Sequence, residues 1–293
     1  MLRALLLLVV LLGSAAAHAT VQATDDAGHS VTLERPAQRI ISVAPHLTEL
    51  LFSAGAGNRI VGAVAYSDHP EAAKRIPRIG DSAQLDLERI VALRPDLIVV
   101  WRHGNSAQQV QRLSRLGIPV YASESRRLAN ISSTLRRLGR LAGTQAIADA
   151  QAARFDREVA ALRERYAGRP PLRVFYQIWH RPLLTINGEH LISEALQLCG
   201  ASNVFASLPA LTPNVSAESV IALDPDAIVT GSVDPAGSDN LDGWRRLRSL
   251  RAARLGHLLV VDPDTLHRQS ERVVEGMRDL CDRLDAVRAS GPR

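Results

Sequence analysis

Leu87-Glu88-Arg89-Ile90-Val91-Ala92-Leu93-Arg94-Pro95-Asp96-Leu97-Ile98-Val99-Val100 reads as a short helix that opens on an acidic residue, is stopped by a proline and passes through an aspartate into a buried strand. The same scheme returns 130 residues on as Ala217-Glu218-Ser219-Val220-Ile221-Ala222-Leu223-Asp224-Pro225-Asp226-Ala227-Ile228-Val229-Thr230, identical at seven of fourteen positions. A helix-to-strand unit that occurs twice implies a chain built from two similar halves. Each half carries one glutamate, Glu88 and Glu218, at the same structural point.

Outward from these units, β-branched runs at 39–44, 60–65, 97–101 and 119–122 alternate with helical patterns, as βα units of a parallel sheet do. The second half repeats the alternation with runs at 172–178, 227–231 and 258–262. Between the halves, Ile147, Phe155, Val159, Leu162 and Tyr166 fall on one face of a helix about 35 Å long, with Gly143 before it and Gly168, Pro170 and Pro171 after it. The expected fold class is α/β: two Rossmann-like lobes with parallel sheets, residues 20–143 and 169–293, joined by one long α-helix at 144–168, with a cleft between them.

The 293 residues are 46% hydrophobic and 22% charged, proportions of a folded globular chain that exclude disorder, collagen and coiled coil. A net charge of +5 from 35 basic and 30 acidic residues, the basic ones all arginine except Lys74, argues against a nucleic-acid partner. Arg245, Arg246, Arg248, Arg251 and Arg254, interleaved with Leu247, Leu250 and Leu255, read as a solvated amphipathic helix. Residues 1–19 carry an early arginine, an apolar run over 4–12 and the small-residue end Ala17-His18-Ala19, the pattern of a secretory signal peptide. No cysteine follows the apolar run, which argues against a lipid anchor, so a soluble periplasmic protein is expected. In an oxidising compartment Cys199 and Cys281 are expected to pair, the alternative being two buried free thiols.

Ligands of open parallel sheets bind beyond the carboxyl ends of the strands. The loops there carry His46, then Tyr66-Ser67-Asp68-His69, then Trp101-Arg102-His103-Gly104-Asn105; the second half adds Trp179-His180-Arg181-Pro182, Leu211-Thr212-Pro213-Asn214 and Asp264-Thr265-Leu266-His267-Arg268. Exposed indoles at Trp101 and Trp179 point to a ligand face. No GxSxG, Walker A, HExxH, CxxC or strand-following GxGxxG occurs, and the histidines lie far apart in sequence, so a dedicated zinc site would require spatial convergence. Asp68 and Asp264 are the cleft carboxylates available for acid/base work, but no nucleophile with a partner base accompanies them. A binding protein rather than an enzyme is expected.

From about Ile40 to Leu284 the chain resembles the periplasmic vitamin B12-binding proteins of ABC importers, within the class III receptors for metal chelates that have a helical backbone. Thr48-Glu49-Leu50, Tyr66-Ser67-Asp68, Leu87 to Leu93 with Pro95-Asp96-Leu97, Trp101-Arg102-x-Gly104-Asn105, Leu198-Cys199-Gly200 and Leu280-Cys281 carry the resemblance. It implies a cobalamin held between the lobes as cargo, with no resident cofactor, contacted by Tyr66 and by Asp264, Thr265, Leu266, His267 and Arg268. Trp101, Trp179, His46 and His180 stand in the remaining cleft loops. The resemblance further implies that Glu88 and Glu218 dock onto arginines of a two-fold symmetric permease in the inner membrane, that Cys199 and Cys281 form a disulfide, and that the receptor is a monomer. The chain departs from the family at Ser82 and Thr212, where tryptophans flank the corrin in other members, and at Trp179 and His180, where smaller or apolar residues stand. Another corrinoid, haem or a ferric siderophore is therefore the alternative cargo, and an exported enzyme acting on a tetrapyrrole is the alternative from a different class.

Overall fold

The structure is a computed structural model that describes residues 20–81, 84–231 and 240–290; the expected signal peptide at 1–19 and Ser82 lie outside the described residues. The chain begins with an antiparallel hairpin, β1 (Val21–Thr24) and β2 (Ser30–Leu33). The first lobe follows with β3 (Ile40–Ser42), α1 (Pro45–Ser53), β4 (Ile60–Ala63), α2 (Leu87–Ala92), β5 (Leu97–Trp101), α3 (Ala107–Ser114) and β6 (Val120–Ser123). Helices α4 (Leu128–Ala142) and α5 (Gln145–Arg165) lead to the second lobe. It comprises β7 (Leu172–Gln177), the small hairpin β8 (Trp179–His180) and β9 (Leu183–Leu184), α6 (Leu191–Leu198), β10 (Ala201–Asn203), α7 (Ala217–Leu223), β11 (Ala227–Thr230), α8 (Asp242–Arg245), α9 (Arg251–Leu255), β12 (Leu258–Val260), α10 (Pro263–Leu266) and α11 (Val273–Ser290).

Both main sheets are parallel and share one strand order. The first runs β4-β3-β5-β6 and the second β10-β7-β11-β12, so in each lobe the opening strand lies between its second and third. Successive side chains leave a strand on opposite faces. Ile40, Leu97 and Val99 therefore enter one core while Ile41, Ile98 and Val100 enter another under α2 and α3. The second lobe repeats this, with Val174, Tyr176, Ala227 and Val229 on one side and Phe175 and Ile228 on the other. Burial on both faces explains why these strands read as continuous apolar runs.

The duplication extends to backbone geometry. Asp86 caps α2 by accepting from the Arg89 amide at 2.9 Å, and Ser216 caps α7 by accepting from the Ser219 amide at 3.2 Å. Each helix ends on a non-glycine residue with positive φ ahead of its proline, Arg94 at 45° and Asp224 at 40°. The aspartate after the proline then ties the third strand to the entry of the first. Asp96 accepts the amides of Gln38 and Arg39 at 2.8 and 2.9 Å, and Asp226 accepts that of Arg173 at 2.8 Å. The Pro-Asp pair recurs because it sets sheet register in both lobes.

The structure differs from the sequence expectations in three places. Helix α5 buries Ala148, Ala152, Phe155, Val159 and Leu162, a stripe with helical spacing, whereas Ile147 is rotated off it and half exposed against Gly55. Nor is α5 a lone strut, for it packs along α4, and a single core runs from the first sheet through both helices to α11. The arginine-rich stretch 245–255 is broken into α8 and α9 by the turn after Arg245 instead of forming one helix.

Cys199, just past α6, is bonded to Cys281 on α11 with Cα atoms 4.9 Å apart, which resolves the choice between a bridge and free thiols. A closed loop of 82 residues removes about 4.5 kcal/mol of chain entropy from the unfolded state. The Cys199→Ala/Cys281→Ala double variant should lose about 4 kcal/mol of unfolding free energy in urea titrations, and an unchanged midpoint would show that the bridge adds no constraint.

Candidate functional site

Helix α1 starts directly after β3 and is buried from His46 to Leu51, and two of its three polar members there, Thr48 and Glu49, find partners inside. Thr48 Oγ1 lies 2.8 Å from Ser42 Oγ and 3.1 Å from Ser67 Oγ, tying the helix to the loops after β3 and β4. Glu49 has no exposed side-chain surface, and its partners all come from the second lobe. Its carboxylate accepts from Arg268 Nη1 at 3.0 Å, from Arg272 Nη1 at 3.2 Å and from the Ser270 hydroxyl. Glu271, in the same segment, is buried, and burial pushes its carboxyl up to about 7.

Arg268 is the widest-reaching side chain of this junction. Besides Glu49 it donates to the Tyr66 carbonyl at 3.2 Å, to Asp68 at 3.3 Å and to Asp264 on α10 at 2.8 Å. Its guanidinium thus spans the two lobes, with an inner contact that is buried and two outer contacts whose carboxylates face solvent. Gln269, the next residue, accepts the Ser125 amide of the first lobe at 3.1 Å. Above the junction stands Tyr66, held at φ 63° in the left-handed region and 78% exposed.

The first-lobe wall is built by the Trp101-Arg102-x-Gly104-Asn105 loop. Asn105 accepts the Trp101 amide at 2.7 Å and donates to the Val43 carbonyl at 3.1 Å. Residue 104 is glycine because a Cβ there would fall 1.8 Å from the Trp101 ring. The half-buried indole meets the His46 ring edge-on at 5.0 Å. Burial, reinforced by the charge of Arg268, takes the His46 imidazole down to about 3, so it stays neutral. Its Nε2 is unpaired, as are Trp101 Nε1, Ser123 Oγ and Ser125 Oγ at the ends of the neighbouring strands. His103, on the same loop, pairs with Glu124 at 2.6 Å.

On the second-lobe side, Tyr176 Oη lies 2.7 Å from His267 Nε2, and burial lowers His267 to about 4. Gly231 makes room for that imidazole, since a Cβ would come within 2.6 Å of it. Trp179 is 51% exposed on the β8–β9 hairpin, its Nε1 donating to the Arg181 carbonyl, with the His180 ring 6.3 Å away.

The candidate residues thus fall into groups. Tyr66, Asp264 and Arg268 converge with Asp68 at the junction; Trp101 with His46, and Trp179 with His180, form separate clusters on the two lobes. Three expected contact residues do not present free side chains. Leu266 is fully buried beneath Gly276 of α11, Thr265 turns its hydroxyl to the Asp262 carbonyl, and His267 is engaged by Tyr176. All three follow from α10, a single turn that leaves only Asp264 and, beyond it, Arg268 directed outward. His69 belongs elsewhere, lining a cavity of about 350 Å³ beside α5 with Arg154, Glu158, Glu271 and Arg278. Trp101 is less exposed than its strand-end position implied. Glu88 and Glu218 sit in the exposed first turns of α2 and α7. Among the described residues no group of three or more His, Cys, Asp or Glu side chains is arranged to hold a metal ion.

Sequence reasoning missed the junction network of Glu49, Ser270 and Arg272. The available signal was a carboxylate inside an otherwise apolar helix, which has to be paired with something distant.

Residues 40–265 match the family described as periplasmic binding protein. Vitamin B12-binding proteins of Vibrio campbellii and Yersinia pestis are 32% and 35% identical to the chain; each alignment covers 86% of it, and 91% and 88% of the relatives. Among solved structures, the periplasmic vitamin B12-binding protein of Vibrio cholerae is similar with a TM-score of 0.78 and 31% identity over 86% of this chain and 98% of that one. A periplasmic heme-binding protein from Pseudomonas aeruginosa is similar with a TM-score of 0.72 and 28% identity, covering 84% and 91% of the two chains.

Because Glu49 is fully enclosed, Glu49→Ala removes the carboxylate partner of Arg272 and Ser270 and the inner contact of Arg268, and should cost about 3 kcal/mol or more in urea unfolding of the ligand-free protein. Asp68→Ala removes a half-exposed contact of the same guanidinium and should cost below about 1 kcal/mol. Equal losses would mean that the inner and outer contacts hold the lobes alike.

Proposed function

The chain belongs to the periplasmic binding protein family, and on that premise we propose that it captures cobalamin or a closely related corrinoid between its lobes and delivers it to a two-fold symmetric ABC permease of the inner membrane. The observation that carries this reading is the likeness, over more than four-fifths of the chain, to relatives named for vitamin B12 binding. The protein is exported by residues 1–19, cleaved after Ala19, and works in the periplasm as a monomer. No helix among the described residues is long and apolar enough to cross a membrane.

The ligand is held by Tyr66, Asp264 and Arg268 at the junction, by Trp101 and His46 from the first lobe and by Trp179 and His180 from the second. Thr265, Leu266 and His267 act indirectly, by fixing the turn that aims Asp264 and Arg268. Aromatic faces cover the macrocycle, and the unpaired Trp101 Nε1, His46 Nε2 and His180 Nδ1 supply hydrogen-bonding capacity at its edge. The large rings at Trp179 and Tyr66 take over the contact area lost with Ser82 and Thr212. The corrinoid is cargo, and the protein performs no chemistry on it. In support, Asp68 and Asp264 are both engaged by Arg268 and are not free to act as an acid/base pair. A heme cargo is the second reading, favoured by the neutral, unpaired His46 Nε2 beside Trp101.

Isothermal titration of the mature protein with cyanocobalamin should give one-to-one binding at micromolar affinity or tighter, with little heat from haemin or a ferric siderophore. Tight haemin binding with no cobalamin heat would move the cargo to heme. Reversal of both docking carboxylates, Glu88→Arg with Glu218→Arg, should abolish cobalamin uptake while cyanocobalamin affinity stays within about threefold, a change near 0.65 kcal/mol. A loss of ligand affinity instead would place these glutamates in the cleft.

A further inference from the structure

We propose that Val91 and Ile221 are the apolar anchors of a duplicated docking surface, each seating one lobe on one half of the permease. The inference rests on the delivery role proposed above and specifies what the permease presents: on each half, a basic side chain beside an apolar recess that accepts one β-branched residue.

Five large hydrophobic side chains are exposed among the described residues: Tyr66, Val91, Ile147, Trp179 and Ile221. Single exposed apolar residues are ordinary. Val91 and Ile221 are different because they occupy equivalent positions of the internal repeat, 49% and 37% exposed, whereas the other three have no counterpart in the opposite lobe. Helices α2 and α7 each fully bury one residue, Ile90 and Val220, and pack Leu87 and Leu223 partly against the cores, while Glu88 and Val91, and Glu218 and Ile221, stay exposed. On each, the exposed apolar residue lies three positions after the glutamate, so the two side chains share a face with Cβ atoms about 5–6 Å apart.

The carboxylates are also available. Neither Glu88 nor Glu218 takes part in an ion pair within the described chain, although arginines are abundant; Glu218 is held below its usual value by its own amide and the Ser216 hydroxyl. An acid and an apolar group side by side, repeated once per lobe, fit a partner that itself repeats its complementary patch, as a two-fold symmetric protein does. The carboxylate steers and orients the encounter. The β-branched residue supplies the desolvated contact that slows dissociation.

The test uses right-side-out inner-membrane vesicles from the producing bacterium, washed free of endogenous receptor, and labelled cyanocobalamin carried by purified receptor at increasing concentration. Val91→Ser and Ile221→Ser should each raise the receptor concentration for half-maximal uptake about tenfold, and the double variant about a hundredfold. The saturated uptake rate and the cyanocobalamin affinity of the free receptor should stay within twofold. If the double variant docks like the unaltered protein while Glu88→Arg/Glu218→Arg does not dock, contact is electrostatic alone and the proposal falls. It falls equally if the double variant removes a concentration-dependent dimer in sedimentation, which would assign the apolar pair to self-association. Failure of the delivery role itself is read separately, as absence of any receptor-driven uptake by the unaltered protein.

Discussion

A carboxylate with no exposed surface cannot remain unpaired in a folded protein, and Glu49 answers that constraint by holding the two lobes together. Its partners Arg268, Ser270 and Arg272 come from one short segment between α10 and α11, so a single side chain on α1 fixes where the second lobe begins its last helix. The exposed groups at the junction take their positions from the same segment. Arg268 aims outward to Asp68 and Asp264 because its inner hydrogen bonds hold the start of the guanidinium in place, and Gln269 secures the Ser125 turn beside Trp101.

Around that junction the molecule is a duplication carried through at every level. Strand order, helix caps, the positive-φ residue before proline and the aspartate that receives the first-strand amides all occur twice. The repeated unit performs two tasks with one sequence. Its Pro-Asp half sets sheet register, and its glutamate half projects a charged, partly apolar face into solvent. Function has diverged where register is not at stake, in the loops beyond the strand ends. There the first lobe has an indole laid over a glycine, and the second has an exposed indole on a hairpin.

Burial shapes the electrostatics of the cleft. His46 and His267 are kept neutral by desolvation, whereas Arg268 keeps its charge because three carboxylates surround it. The neutral imidazoles thus stand beside aromatic rings, Trp101 for His46 and Tyr176 for His267, while the charge of Arg268 is matched by carboxylates of both lobes.

The two-lobed α/β class, the repeat and its glutamates were legible in the sequence, because period-2 and period-3.6 patterning and proline stops are local properties of the chain. The strands fell where β-branched runs placed them. The hairpin at 21–33 and the three-residue β10 did not stand out, being too short to show a period. Cys199 and Cys281 were legible as candidates, and only the packing of α6 on α11 brought them within bonding distance. What the tertiary structure alone decided is which loop residues are exposed and which enclosed. Ile147 and Leu266 look alike in sequence, yet one is exposed and the other enclosed; His69 and His46 both follow strands, yet one lines a cavity beside α5 and the other packs on Trp101. The pairing of Glu49 with residues more than two hundred positions away was likewise beyond the sequence, since a charge inside an apolar helix demands a partner without indicating where in the chain it lies.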